Sequence, residues 1–79
     1  MYIEITVDLK NYQEEIFDLR LSNYHSVKKL LDIVWQTKQL TGQPKEGYWI
    51  RVVNKNKVAD GTKRLIDVGI TTGDRIEIL

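Results

Sequence analysis

The hydrophobic period of this chain switches from that of a strand to that of a helix at Ser26, and that switch limits what it can fold into. Before Ser26 the apolar residues recur at every second position. Ile3, Ile5, Val7 and Leu9 share one face, and Tyr2, Glu4, Thr6 and Asp8 share the other. A period of two marks a half-buried strand. The polar stretch "KNYQEE" from Lys10 separates it from a second alternation, with Phe17, Leu19 and Leu21 inward. Two such segments joined by a short polar run predict an antiparallel hairpin. After Ser26, Val27, Leu30, Leu31, Val34 and the stem of Lys38 recur at the spacing of one helix face. Asn23 and Ser26 are both suitable N-caps. Gly42 suits a left-handed C′ position and Pro44 bars continuation, so the helix is expected to run for about 15 residues.

The second half returns to strand patterns. "YWIRVV" from Tyr48 is β-branched and aromatic. "NKNK" is a polar turn in which Asn54 or Asn56 can take a positive φ. Val58 and Ala59 form a short fourth strand, "DGTKRLIDVGI" a turn with one short helical or irregular stretch, and "TTGD" a loop before a last strand carrying Ile76 and Ile78. A hairpin whose apolar face receives one helix is an α+β plan. The last strand is expected beside and parallel to the first, with Arg75 and Glu77 facing solvent.

Composition narrows the function classes. At 79 residues the chain reads as one domain, residues 1–79, with a small core. Twelve basic residues against eleven acidic ones leave a net charge of +1, which argues against a nucleic-acid binder. There is no cysteine, so an intracellular, cytoplasmic setting is the simpler expectation. No apolar run is long enough to insert in a bilayer, and "MYIEITVDLK" lacks the regions of a signal peptide. His25 is the one histidine, and an acid–base site needs an oriented partner for it. Glu14 and Glu15 read as a solvated loop. The aspartates show no metal-loop spacing, and no phosphate-binding glycine motif occurs. Neither a catalytic residue, nor a cofactor, nor a metal site is therefore expected.

What remains is surface recognition. Trp49, Arg51 and Val53 point outward if Ile50 and Val52 point inward, and tryptophan and arginine are the residues enriched at binding hot spots. Lys55 and Lys57 follow nearby. Ile33 and Leu40 lie roughly 120–140° from the centre of the helix stripe. Either the return loop "TGQPKEGYW" covers them or they form a second docking stripe. Trp35 is expected to seal the rim of the core, and Lys28, Lys29, Lys38 and Lys45 to make a solvated basic side.

The residues also carry a resemblance. Leu65, Asp67 and Ile70 before the strand Ile76–Ile78, with "VKKLL" at Val27–Leu31, resemble the ubiquitin-like β-grasp family. That resemblance implies a mixed sheet of four to five strands packed on one long helix. Within it, "MYIEITVDLK", "FDLRLSNYHSVKKLLDIVWQ", "GYWIRVVNKNKV" and "GITTGDRIEIL" are similar to the YukD-like proteins of bacterial type VII (WXG100 or ESX) secretion. The resemblance implies a non-catalytic accessory or regulatory protein whose partners are the secretion machinery or WXG100 substrates, in an oligomeric state left open. Conjugated ubiquitin-like proteins and sulfur carriers use a terminal Gly-Gly. Here the matching strand reaches Leu79 with no glycine after it, which argues against the alternative of a modifier or sulfur carrier acting with an activating enzyme. Ubiquitin's apolar patch on its third strand corresponds to Arg51 or Val52.

Overall fold

The computed structural model describes residues 1–45 and 47–79. Its elements are β1 (Tyr2–Asp8), β2 (Ile16–Ser22), α1 (Val27–Thr37), β3 (Trp49–Val52), β4 (Lys57–Asp60), a four-residue helix α2 (Leu65–Val68) and β5 (Arg75–Ile78). A 3₁₀ turn at Val53–Lys55 links β3 to β4, and its closing left-handed residue is Asn56, at φ 52°. The sheet runs in the order β2-β1-β5-β3-β4. The hairpin pairs Tyr2 with Ser22 through to Asp8 with Ile16. β5 lies parallel to β1 and antiparallel to β3, which is the arrangement of a β-grasp and places Ile76 and Ile78 at the sheet centre.

The core lies between one face of this sheet and α1. Ile3, Ile5, Val7, Ile50, Val52, Ile76 and Ile78 pack with Val27, Leu30, Leu31 and Val34, all buried. Full burial of each such side chain contributes about 1.5–3 kcal/mol. Ser26, not Asn23, caps α1, with its hydroxyl accepting from the Lys29 N–H at 3.0 Å.

Helix α1 is 11 residues long, shorter than its sequence signals predict. It closes before Gly42 is reached. Leu40 N–H donates to Trp35 O at 2.9 Å and Gln39 N–H to Gln36 O at 3.4 Å, with Gln39 left-handed at φ 53°. This is a Schellman closure with glutamine in the usual glycine position. It lets Leu40 fold back against the core, and that burial offsets the strain at Gln39. Ile33 and Leu40 are both half-buried against the core. Trp35 also packs there, edge to face with Tyr12 at 5.0 Å.

One glycine is required by close approach. A Cβ on Gly61 would lie 2.6 Å from Tyr48 Cβ and 3.3 Å from Lys28 Cβ. The "DGT" turn is therefore wedged between α1 and the start of β3. Gly61→Ala is expected to lower stability by about 1–3 kcal/mol, since Tyr48 must shift on its backbone. Urea unfolding checks this, and a loss below about 0.5 kcal/mol would show that the segment yields freely.

Candidate functional site

Among the described residues no helix lies over the face of the sheet opposite α1, since α2 also packs against the core through Leu65 and Val68. The registers place Ile16, Asp8, Glu77, Arg51 and Val58 side by side in one row across all five strands. Two carboxylates thus meet at the centre of the row, where like charges repel. Cations from this row and its neighbours offset that repulsion. Arg51 Nη2 lies 2.7 Å and Lys10 Nζ 3.5 Å from the Glu77 carboxylate, and Arg75 Nη2 lies 3.0 Å from Asp8. Asn11 Nδ2 also donates to Glu77, at 3.2 Å.

Glu77 consequently does not face solvent as its alternation predicts. It is 5% exposed, and Asp8 and Asp74 are 4% and 3% exposed. A period of two assigns a side chain to a face but does not say whether neighbouring side chains roof it over. Here they do, so the face presents cationic heads above buried carboxylates.

Asp74 anchors the turn into β5. It accepts from Thr71 N–H at 2.9 Å, Asn54 Nδ2 at 2.9 Å and the Lys55 ammonium at 2.8 Å. Burial opposes ionisation of all three acids and is the largest single influence on each. At Asp8, hydrogen bonds from Arg75 and the Lys10 backbone, with the charges of both residues, outweigh it. At Asp74, hydrogen bonds from Lys55, Asn54 and Thr71 do so, and at Glu77 those from Asn11 and Arg51. Each carboxyl is held below its usual range. A carboxyl whose folded pKa is depressed stabilises the fold above its unfolded pKa, and that stability is lost as pH falls through the folded value. The urea midpoint is expected to be flat above pH about 5 and to drop as pH falls below about 4, less steeply in Asp8→Asn/Asp74→Asn. A midpoint that rises on acidification would contradict this pairing.

The residues expected at a partner surface are dispersed by the fold. Arg51 lies on the open face and Val52 is fully buried, so of the two only Arg51 is open to a partner. Trp49 stays exposed at the end of β3, at 41%, and Val58 beside Arg51 at 56%. Lys55 does not join this surface. Its ammonium is tied down by Asp74, Gly69 O at 2.7 Å and Thr71 Oγ1 at 3.1 Å. Lys57 turns to the end of α2, 3.4 Å from Val68 O. Ile33 and Leu40 are on α1 and its closure, on the other side of the sheet. Lys38 is paired with Glu15 at 2.7 Å and Lys28 with Asp32 at 3.3 Å.

The sequence reading had no signal for Asp8, Asp74, Asn11, Asn54 or Val58, because their roles depend on register between strands distant in the chain. Among the described residues no cluster of His, Cys, Asp or Glu could hold a metal ion, and no helix is long and apolar enough to cross a membrane. Leu79 is built into the fold. Its N–H donates to Trp49 O at 3.1 Å, its carbonyl accepts from Tyr12 OH at 2.7 Å, and Ile78 O accepts from Asn11 at 2.8 Å.

Comparison with solved structures bears on the fold. The chain superposes on the ubiquitin of Caldiarchaeum subterraneum with a TM-score of 0.70 at 17% identity, covering 98% of this chain and 90% of that one. A designed protein based on ubiquitin gives a TM-score of 0.71 at 13% identity, over 96% of this chain and 84% of the design. At these identities the likeness establishes the ubiquitin-like β-grasp fold alone. Sequence comparison goes further. The chain is 61% identical over 79 residues to the ESX secretion system protein YukD of Bacillus subtilis (strain 168), covering both chains in full. The family model described as "WXG100 protein secretion system (Wss), protein YukD" matches residues 2–78. The chain therefore belongs to the YukD family of ubiquitin-like proteins.

Proposed function

We propose that this chain is a non-catalytic, cytoplasmic protein-binding module, an accessory or regulatory component of a type VII (ESX) secretion system. Its partners are components of that machinery or WXG100 substrates. The observation that carries the reading is the margin of the open sheet face. There an exposed Trp49 and Val58 flank Arg51, whose guanidinium is fixed by Glu77. A rigid arginine beside exposed aromatic and β-branched surface has the composition of a binding hot spot, and its pre-organisation lowers the entropic cost of association. The family membership supplies the setting.

Trp49→Ala is expected to weaken capture of a type VII component by at least about tenfold, the loss of one hot-spot side chain, while thermal unfolding changes little. Quantitative co-purification from cells expressing the secretion system measures this. Undiminished capture by Trp49→Ala would move the binding surface elsewhere.

A further inference from the structure

Strand β4 is the last strand of the sheet order, so one of its sides is open. The backbone direction at that side follows from the ladder. Leu79 N–H donates to Trp49 O, so Trp49 and Arg51 turn their backbone groups toward β5. Ile50 and Val52 then turn theirs toward Ala59 and Lys57. By the alternation of an antiparallel ladder, Val58 and Asp60 direct their N–H and C=O groups to the open side. Asp60 O is taken by Lys63 N–H at 3.3 Å. Val58 N–H, Val58 C=O and Asp60 N–H are left facing outward, a short template for one more strand.

A groove of about 510 Å³ follows this edge, lined by Trp49, Val58, Ala59 and Val68 with Lys57 and Lys63 at its sides. Its charges leave one cation in excess, Lys57, Lys63 and Arg64 standing against Asp60 and Asp67: Asp67 is paired with Arg64 at 2.9 Å, and Asp60, which accepts from Thr62 N–H at 2.9 Å, lies in the field of Lys63. Neither lysine has a carboxylate within ion-pair distance among the described residues. Open backbone groups, apolar lining and this excess of one positive charge together specify an occupant.

We propose that the free edge of β4 takes up, as an additional strand, an extended segment of another protein that alternates apolar and acidic side chains. Resting on the protein-binding reading above, this assigns that function a recognition mode: main-chain hydrogen bonds give affinity, and alternate side chains give selectivity. The apolar residues enter the groove against Trp49 and Val58, and the acidic ones reach Lys57 and Lys63. A second copy of this chain fits less well, because it would bring the same two lysines to the same edge.

The test is a titration of the ¹⁵N-labelled chain with a synthetic eight-residue peptide alternating valine and glutamate, and with its valine–lysine counterpart. The first peptide is expected to give saturable shifts at the Val58 and Asp60 amides and the Trp49 indole, with slowed hydrogen exchange at Val58. The lysine peptide is expected to give none. Lys57→Glu/Lys63→Glu is expected to weaken the first peptide by about tenfold, as two attractive contacts become repulsive, with an unchanged melting temperature confirming the fold. Shifts confined to Arg51, Arg75 and Glu77, an equal response to both peptides, no saturable shift in β4, or concentration-dependent β4 shifts without peptide would each overturn the proposal. Capture of a type VII component that survives Lys57→Glu/Lys63→Glu would also overturn it, while leaving the protein-binding function intact. Failure of the unsubstituted chain to capture any such component would instead remove that function.

Discussion

Arg51→Glu is expected to destabilise the fold by about 2–4 kcal/mol, more than any change at a merely exposed charge. The reason lies beneath it. Arg51 donates to Glu77 Oε1 from Nε at 3.1 Å and from Nη2 at 2.7 Å, and the Glu77 side chain is 6% exposed. Charge reversal would set a second carboxylate against a buried one. The row already holds Asp8 beside Glu77, so three acids would adjoin with only Lys10 and Arg75 to offset them. The effect falls below the 3–5 kcal/mol typical of a broken, fully buried pair because Arg51 is itself 42% exposed and Asn11 still donates to Glu77. Urea denaturation checks the magnitude, and Glu77→Gln in the same chain should recover much of the loss. A loss below about 0.5 kcal/mol, or no recovery, would show that the guanidinium is not what shelters Glu77. Loss of partner capture in Arg51→Glu alone would therefore reflect unfolding as much as a lost contact, and Trp49→Ala is the cleaner probe of the surface.

Ile76→Ala is expected to cost about 2–5 kcal/mol through lost burial and the cavity left behind. Ile76 is fully buried, pairs with Val7 on one side and Val52 on the other, and belongs to the strand that joins the two halves of the sheet. A residue at the centre of five strands has little room to collapse around. In a domain of this size the melting temperature should fall by about 10 °C or more. Ile66→Ala, at a residue 41% exposed on α2, should change stability by under about 0.5 kcal/mol. Equal effects at the two positions would contradict the placement of β5 at the sheet centre.

The elements written in amphipathic period were legible in the sequence. β1, the α1 stripe and the inward isoleucines of β5 follow from spacing alone, and the parallel β1–β5 neighbourhood, expected as the simplest arrangement of the last strand, is the one observed. The end of α1 was not legible. Gly42 and Pro44 are strong stop signals, but burial of Leu40 stabilises an earlier closure through Gln39, and that gain exists only once the core is assembled. Glu77 was placed on the correct face and wrongly given to solvent, because the side chains that cover it, Arg51, Lys10 and Asn11, come from other strands and loops. Lys55 and Lys57 read as neighbours of Arg51 along the chain. The left-handed Asn56 between them turns the strand, and both ammonium groups reach the segment that closes α2 instead. The exposed edge of β4 was invisible, since an edge is a property of sheet order and not of any local pattern.

The central claim is that this ubiquitin-like chain acts through reversible surface contacts and not through covalent attachment. It is tested most directly by recovering an N-terminally tagged chain from cells expressing the type VII secretion system, in parallel under native and denaturing conditions, and measuring intact masses. The predicted result is a secretion-system partner retained natively, lost in denaturant, and a chain of unmodified mass. A denaturant-resistant covalent adduct between the chain and a partner would contradict it.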